Sequence, residues 1–311
     1  MSAGAVGAGA AGAADAECRN CRAALAGPYC AACGQRDVTP DPTVRELAVD
    51  AAQEMLGVDG KLAATMRRLP RPGRLTVDYL AGRRAAHVGP VRVYLVVSAV
   101  LFALMALQPR DAGPANPDEF TLFGVARVGV TMDSVYAERV AREPRPTLNE
   151  RLGLRIRTAI KAGPERHAEL ERRVVNTIPQ AFFLLVPAYA GVVALVAPRP
   201  RRHYPAHLCY ALHVHAFGLL SLALALRLPI LGVAHAAPAG GRLAAALDAA
   251  QSGGLSAAVA GSLAYVWAAH RRVYGGSWAG AAVRVAASTL LYLVLVGFGV
   301  VVLLLGVLLV G

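Results

Sequence analysis

Four of the five cysteines are spaced for chemistry: Cys18-Arg19-Asn20-Cys21, eight residues, then Cys30-Ala31-Ala32-Cys33-Gly34. Each C-x-x-C turn points two thiolates at one position, and two such turns bring four sulfurs into a tetrahedron. Zinc favours this closed four-thiolate set in structural sites. Gly34 suits the turn after the last cysteine, because a knuckle favours a residue free to adopt positive φ. A reducing compartment keeps thiols free, so the doubled motif predicts a metal rather than two disulfides. The residues leave two alternatives open, iron in a rubredoxin-like site and two independent redox dithiols. Four protein ligands leave no position for water, so the expected zinc is structural and not hydrolytic.

A second group is histidine-rich: His207, His213 and His215 in one apolar stretch, with His270 near the end of another. Ionisable side chains inside a bilayer are costly and mark candidate polar sites. The spacing argues against chelation from one helix. At 100° per residue His213 and His215 point to nearly opposite faces, and His207 and His215 lie about 12 Å apart along the axis. Neutral histidines bridging helices by hydrogen bonds are the favoured reading. Cys209 on the same stretch is expected to pack. No P-loop, G-x-S-x-G, H-E-x-x-H or dinucleotide fingerprint occurs.

The elements that must position these residues are apolar blocks. Hydrophobic residues are 56% of the 311 and charged residues 17%, with a mean hydropathy of +0.45. A soluble globule needs roughly a quarter of its residues charged. The composition therefore predicts an all-α polytopic membrane protein, about five transmembrane helices behind a small N-terminal zinc ribbon. The blocks are Val91–Leu107, Ala181–Ala197, His207–Leu226, Leu255–His270 and Val285–Val310, each near the length a bilayer requires. The expected organisation is a disordered Ala/Gly tail (1–17), the ribbon (18–36), amphipathic or interfacial helices (37–90) and the first span (91–107). An extracytoplasmic loop (108–179) and a bundle of spans two to five (180–311) follow. The tail has no basic, leucine-rich start of the kind a secretory signal shows.

The net charge of +12 is unevenly placed. Residues 180–311 carry eight basic side chains and one acid, Asp248, so the excess sits in loops between apolar blocks. Arg199, Arg201 and Arg202 fall in one loop, and Arg271, Arg272 and Arg284 in another. Positive loops face the cytoplasm. This predicts a plasma (inner) membrane location, a cytoplasmic N-terminus and an extracytoplasmic C-terminus. Nucleic acid is not an expected partner: Tyr29 is the one aromatic beside the cysteines, and no basic patch surrounds it.

Between ribbon and first span, Thr43 is the expected N-cap of a helix through about Leu56. A second helix covers Leu62–Leu69, and Pro72-Gly73 marks a turn. This stretch either lies on the inner membrane surface or forms a helical hairpin packed on the ribbon. Within the long loop, Leu148–Lys161 and Glu165–Val175 read as short helices.

The ordered run Cys18-x-x-Cys21, Tyr29-Cys30-x-x-Cys33-Gly34-Gln35, Thr65-x-x-x-Leu69-x-x-Pro72-Gly73 and Tyr79-Leu80-Ala81-Gly82-Arg83-Arg84 resembles a family of uncharacterised bacterial inner-membrane proteins, classified under a domain of unknown function. The later runs from His207 to Phe217 and from Arg271 to Gly275 are similar. The resemblance spans residues 18 to about 290. It implies a zinc ribbon followed by several spans, and it implies no activity.

The favoured function is non-enzymatic, an assembly factor or sensor whose ribbon docks a cytoplasmic protein while the spans engage the lipid bilayer. The alternatives are a small transporter or channel, or a metal-binding membrane enzyme using His207, His213 and His215. Oligomeric state is not readable from the residues.

Overall fold

The computed structural model describes residues 17–37, 42–54, 61–106, 119–122, 126–129, 138, 142–143, 147, 150, 181–197, 203–227 and 242–310. The expected tail, apart from residue 17, and most of the 108–179 loop, including both of its expected helices, lie outside the described residues. The protein is mostly helical. The chain divides into two compact units, one of Met1–Leu101 with Tyr189–Ser288 and one of Phe102–Ala188 with Thr289–Gly311.

In the first unit, α1 (Val44–Glu54) starts where expected. Thr43 Oγ1 accepts the Glu46 N–H at 3.1 Å, and the Glu46 carboxylate accepts the Thr43 N–H at 2.9 Å. That reciprocal pair satisfies two donors that a helix start otherwise leaves open. α2 (Lys61–Arg68) and α3 (Arg74–Leu80) follow. Pro90 opens α4 (Pro90–Ala106), a position where its missing N–H costs nothing.

Later in the chain come α5 (Ala181–Val196), α6 (Tyr204–Arg227), α7 (Arg242–Tyr274) and α8 (Trp278–Val310). Among the described residues two helices are long and apolar enough to cross a membrane, Tyr204–Ala225 and Trp278–Val302, and two shorter apolar helices cover Pro90–Leu104 and Ala181–Val196. α7 is a continuous 33-residue helix that contains the expected fourth block. Its serines and glycines dilute its apolar content, so it is not one of the two.

α6 is the centre of the first unit. Leu47, Tyr79, Leu80, Ala206 and Cys209 form one buried cluster, in which the lone thiol packs as expected. Leu69, Leu75, Val88, Val93 and Ala216 form a second. α3 thus packs against α6, and it also meets α7. Gly73 permits that approach: its φ is +68°, and a Cβ there would sit 3.0 Å from the Ala269 carbonyl oxygen. Arg272 donates to the Pro72 carbonyl beside it, and the Tyr265 hydroxyl donates to the Leu69 carbonyl at 3.0 Å.

The second unit holds an antiparallel pair, β1 (Glu119–Leu122) and β2 (Ala126–Gly129), in register Glu119 to Gly129 and Leu122 to Ala126. The all-α expectation did not include it. Three residues join the strands, and Phe120, Thr121, Val128 and their neighbours supply the β-branched and aromatic content that strands favour.

Candidate metal centre

The two cysteine turns are the same structure at a twelve-residue offset. The Cys18 N–H donates to the Ala23 carbonyl and the Cys30 N–H to the Gln35 carbonyl, both at 2.8 Å. Arg22 N–H returns to Cys18 O at 2.7 Å, as Gly34 N–H does to Cys30 O at 2.8 Å. Isolated bridges close each turn, Glu17 with Ala24 and Tyr29 with Arg36. Left-handed backbone is required at the same place in both: Gly34 has φ 71° and Arg22 has φ 66°. The glycine was legible in the sequence, whereas its arginine counterpart was not, because a non-glycine residue gives no cue that it is left-handed.

The four sulfurs lie within 4.8 Å of one another. The nearest pairs run between the turns, Cys18 to Cys33 at 3.6 Å and Cys21 to Cys30 at 3.5 Å. None is disulfide-bonded. Four thiolates about 2.3 Å from one ion stand about 3.8 Å apart, so this spacing fits a single tetrahedral metal with little movement. The Gln35 backbone N–H holds the Cys33 thiol below its ordinary range, aided by Asn20. At Cys21 the Ala23 N–H pulls the same way, but the Cys30 sulfur and the other crowded thiols outweigh it and push the thiol up to about 12. The second cysteine of each turn is therefore met by the N–H two residues on, which supports a thiolate. The chemistry the set supplies is binding: it is a closed, soft ligand cage with no open position.

This ribbon is fastened to the rest of its unit by Gln35. Its side chain is buried, donates from Nε2 to the Gly82 carbonyl at 2.7 Å, and accepts the Arg84 and Ala85 N–H groups on Oε1, both at 2.9 Å. The Arg19 side chain lies across Gly82, whose φ is +80°, with Cδ 2.8 Å from where a Cβ would stand. The same loop is held from below by Asp78, which takes Arg68 at 2.8 Å and Arg83 at 2.5 Å. Arg84 lies 4.3 Å over the Tyr79 ring and 3.6 Å from Asp50. Gln35, Gly82, Arg83 and Arg84 all belong to the motif runs of the sequence. Their role is to join ribbon, α3 and the approach to α4.

The four histidines bond different partners, although the His207 and His270 rings both lie against Tyr274, with centroids 5.5 and 4.6 Å away. His207 Nδ1 bonds the Tyr274 hydroxyl at 2.8 Å, and His213 Nδ1 bonds Thr76 Oγ1 at 3.0 Å. The His215 Nδ1 bonds the Ala211 carbonyl at 2.8 Å, while its ring meets Tyr189 edge-on. His270 Nε2 accepts the Arg284 Nε–H at 3.2 Å. Among the described residues the four cysteines are the one cluster of three or more metal-ligating side chains.

The site and fold define a mostly helical protein with candidate membrane helices and an N-terminal cysteine cluster able to hold a metal. Residues 59–102 match the family model "Protein of unknown function (DUF3667)", a stretch containing Thr65, Gly73, Asp78, Gly82 and Arg83. No curated protein and no solved structure matches the chain.

Proposed function

We propose that the protein is an integral protein of the bacterial inner membrane whose ribbon, held by one structural zinc on Cys18, Cys21, Cys30 and Cys33, is a fixed cytoplasmic docking module. The spans in this reading are α4 to α8, with the N-terminus cytoplasmic and the C-terminus outside. The observation that carries it is the Gln35 latch. A ribbon on a free tether would present its surface in any direction. This one is clamped to the loop that leads into α4, so a protein seated on it is held in one orientation to the helices. Its outward face offers Tyr29, 63% exposed, a side chain suited to protein contact because it combines apolar area with a hydroxyl. Zinc is favoured over iron by the redox-inert, closed four-thiolate chemistry of structural ribbons. The zinc would supply cross-linking of the two turns and no reaction step.

The test is metal content of the detergent-purified protein beside a Cys18→Ser/Cys21→Ser variant, with photo-crosslinking in cells from position 29. About one zinc per chain, lost in the variant together with a crosslinked protein, is the expected result. Iron, or no metal, overturns the zinc assignment. Zinc without any cysteine-dependent crosslink overturns the docking role and leaves the structural one.

A further inference from the structure

We propose a binding site for the phosphate headgroup of an anionic phospholipid where the α2–α3 turn sits on the end of α7; this deepens the membrane reading above and rests on it. Arg67, Arg71 and Arg74 are exposed on and around that turn, and Arg272 is exposed on α7. Arg71 and Arg74 flank the Pro72-Gly73 turn, and that turn is seated on α7 beside Arg272: Gly73 abuts Ala269, and Arg272 donates to the Pro72 carbonyl. The segment 61–77 has no carboxylate, and none follows Asp248 to the end of the chain. Asp78, the first acid after the turn, is buried and already paired with Arg68 and Arg83. Among the described residues no ion pair involves Arg67, Arg71, Arg74 or Arg272.

Two features say that the occupant is a lipid. Trp267 and Trp278 pack edge-on with centroids 5.2 Å apart, and Trp267 Nε1 donates to the Trp278 carbonyl at 3.0 Å. Both rings are partly exposed, at 39% and 48%. Tryptophans so placed mark the headgroup level of a membrane. Beyond Trp278 the surface turns apolar, with Val283 70% exposed. A cationic cluster at headgroup level beside an apolar helix face matches a molecule with an anionic head and acyl tails. Phosphatidylglycerol and cardiolipin have that chemistry, and a neutral lipid lacks the charge.

The chain has two tryptophans in all, packed on each other where the end of α7 meets the start of α8, so its tryptophan fluorescence reports on that end of α7. Full-length protein is reconstituted into phosphatidylcholine vesicles containing equal mole fractions of either brominated phosphatidylcholine or brominated phosphatidylglycerol, and bromine quenching is compared. The expected result is a preference for the anionic lipid of at least about five-fold, the factor one basic residue near an anionic surface supplies. The preference falls towards one in Arg71→Gln/Arg74→Gln, and separately falls in Arg67→Gln, with zinc content unchanged as the check on folding. Inorganic phosphate added at constant ionic strength leaves it intact. Equal quenching by both lipids, or an unchanged preference in both variants, overturns the site. Cancellation by inorganic phosphate overturns the lipid assignment in favour of a soluble anion. Quenching by neither lipid overturns the membrane reading itself.

Discussion

Replacing Gln35 by alanine isolates the latch from the metal. The knuckle uses the Gln35 backbone, whose carbonyl accepts the Cys30 N–H at 2.8 Å, so the four sulfurs keep their places and zinc should stay. What disappears are three bonds from one buried side chain, to the Gly82 carbonyl at 2.7 Å and from the Arg84 and Ala85 N–H groups at 2.9 Å. The two N–H groups are half-buried and recover part of their bonding from water, whereas Gly82 is buried. At about 1 kcal/mol per bond, the loss is about 3 kcal/mol, or about a hundredfold in the opening of ribbon from loop. Amide hydrogen exchange reads this directly, because the Arg84 and Ala85 amides are themselves the donors. The zinc-loaded variant should exchange at those two amides about a hundredfold faster, with α6 unaffected. Gln35→Glu sharpens the test. A carboxylate keeps the two accepting bonds but faces the Gly82 carbonyl without a proton, so the ribbon should open at neutral pH and reclose as the acid is protonated. Unchanged exchange at Arg84 and Ala85 in the zinc-loaded alanine variant would refute the latch.

Arg22→Gly should tighten zinc, since the backbone there is left-handed at φ 66° and removing the Cβ relieves about 1 kcal/mol; a chelator competition should read about five-fold. Gly34→Ala should weaken zinc by a similar factor for the same reason at φ 71°. Gly73→Ala adds a methyl 3.0 Å from the Ala269 carbonyl at φ +68° and should cost at least about 2 kcal/mol, read as a lowered Tm in detergent. His87 is held below its ordinary pKa of 6.5, chiefly by burial and then by Arg68, with Asp78 opposing. Its folded state therefore takes up a proton less readily than the unfolded chain, and stability present above pH 6.5 should be lost as pH falls below it. His87→Gln should flatten that part of the Tm-against-pH curve.

The sequence shows the parts of the fold whose causes are local. Four cysteines in two turns are legible because a knuckle is a matter of a few residues, and Thr43 with Glu46 is legible because a capping box is too. The helical geometry of His213 and His215 was equally readable: a separation of 200° sends one to Thr76 on α3 and the other to Tyr189 on α5. What the residues conceal is long-range. Gln35 meets Gly82 across 47 positions, and Thr76 meets His213 across 137. Pro72-Gly73 announces a turn, but only the seat on Ala269 shows why the glycine can carry no side chain. The β1–β2 pair escaped for another reason. Its strands have four residues each, too short for periodicity to separate them from a loop.

The polar side chains among the apolar helices also weigh between the functional alternatives. A transport path or catalytic metal centre needs histidine nitrogens that converge and are open to exchange their partners. Here His207, His213, His215 and His270 each hydrogen-bond a different group, with His207 and His270 both lying against the Tyr274 ring. A guanidinium can only donate, so the Arg284 bond at 3.2 Å fixes His270 with its lone pair on Nε2 and its proton on Nδ1, which removes that nitrogen from metal ligation. His207 reaches from α6 to Tyr274 on α7, and His213 from α6 to Thr76 on α3. With Tyr265 on the Leu69 carbonyl and Arg272 on Pro72, these bonds tie α3, α6 and α7 together at the end where the latched ribbon stands. Such an arrangement transmits a fixed position from helices to ribbon, which is what a docking module needs, and it supports that reading over one in which the histidines carry the chemistry.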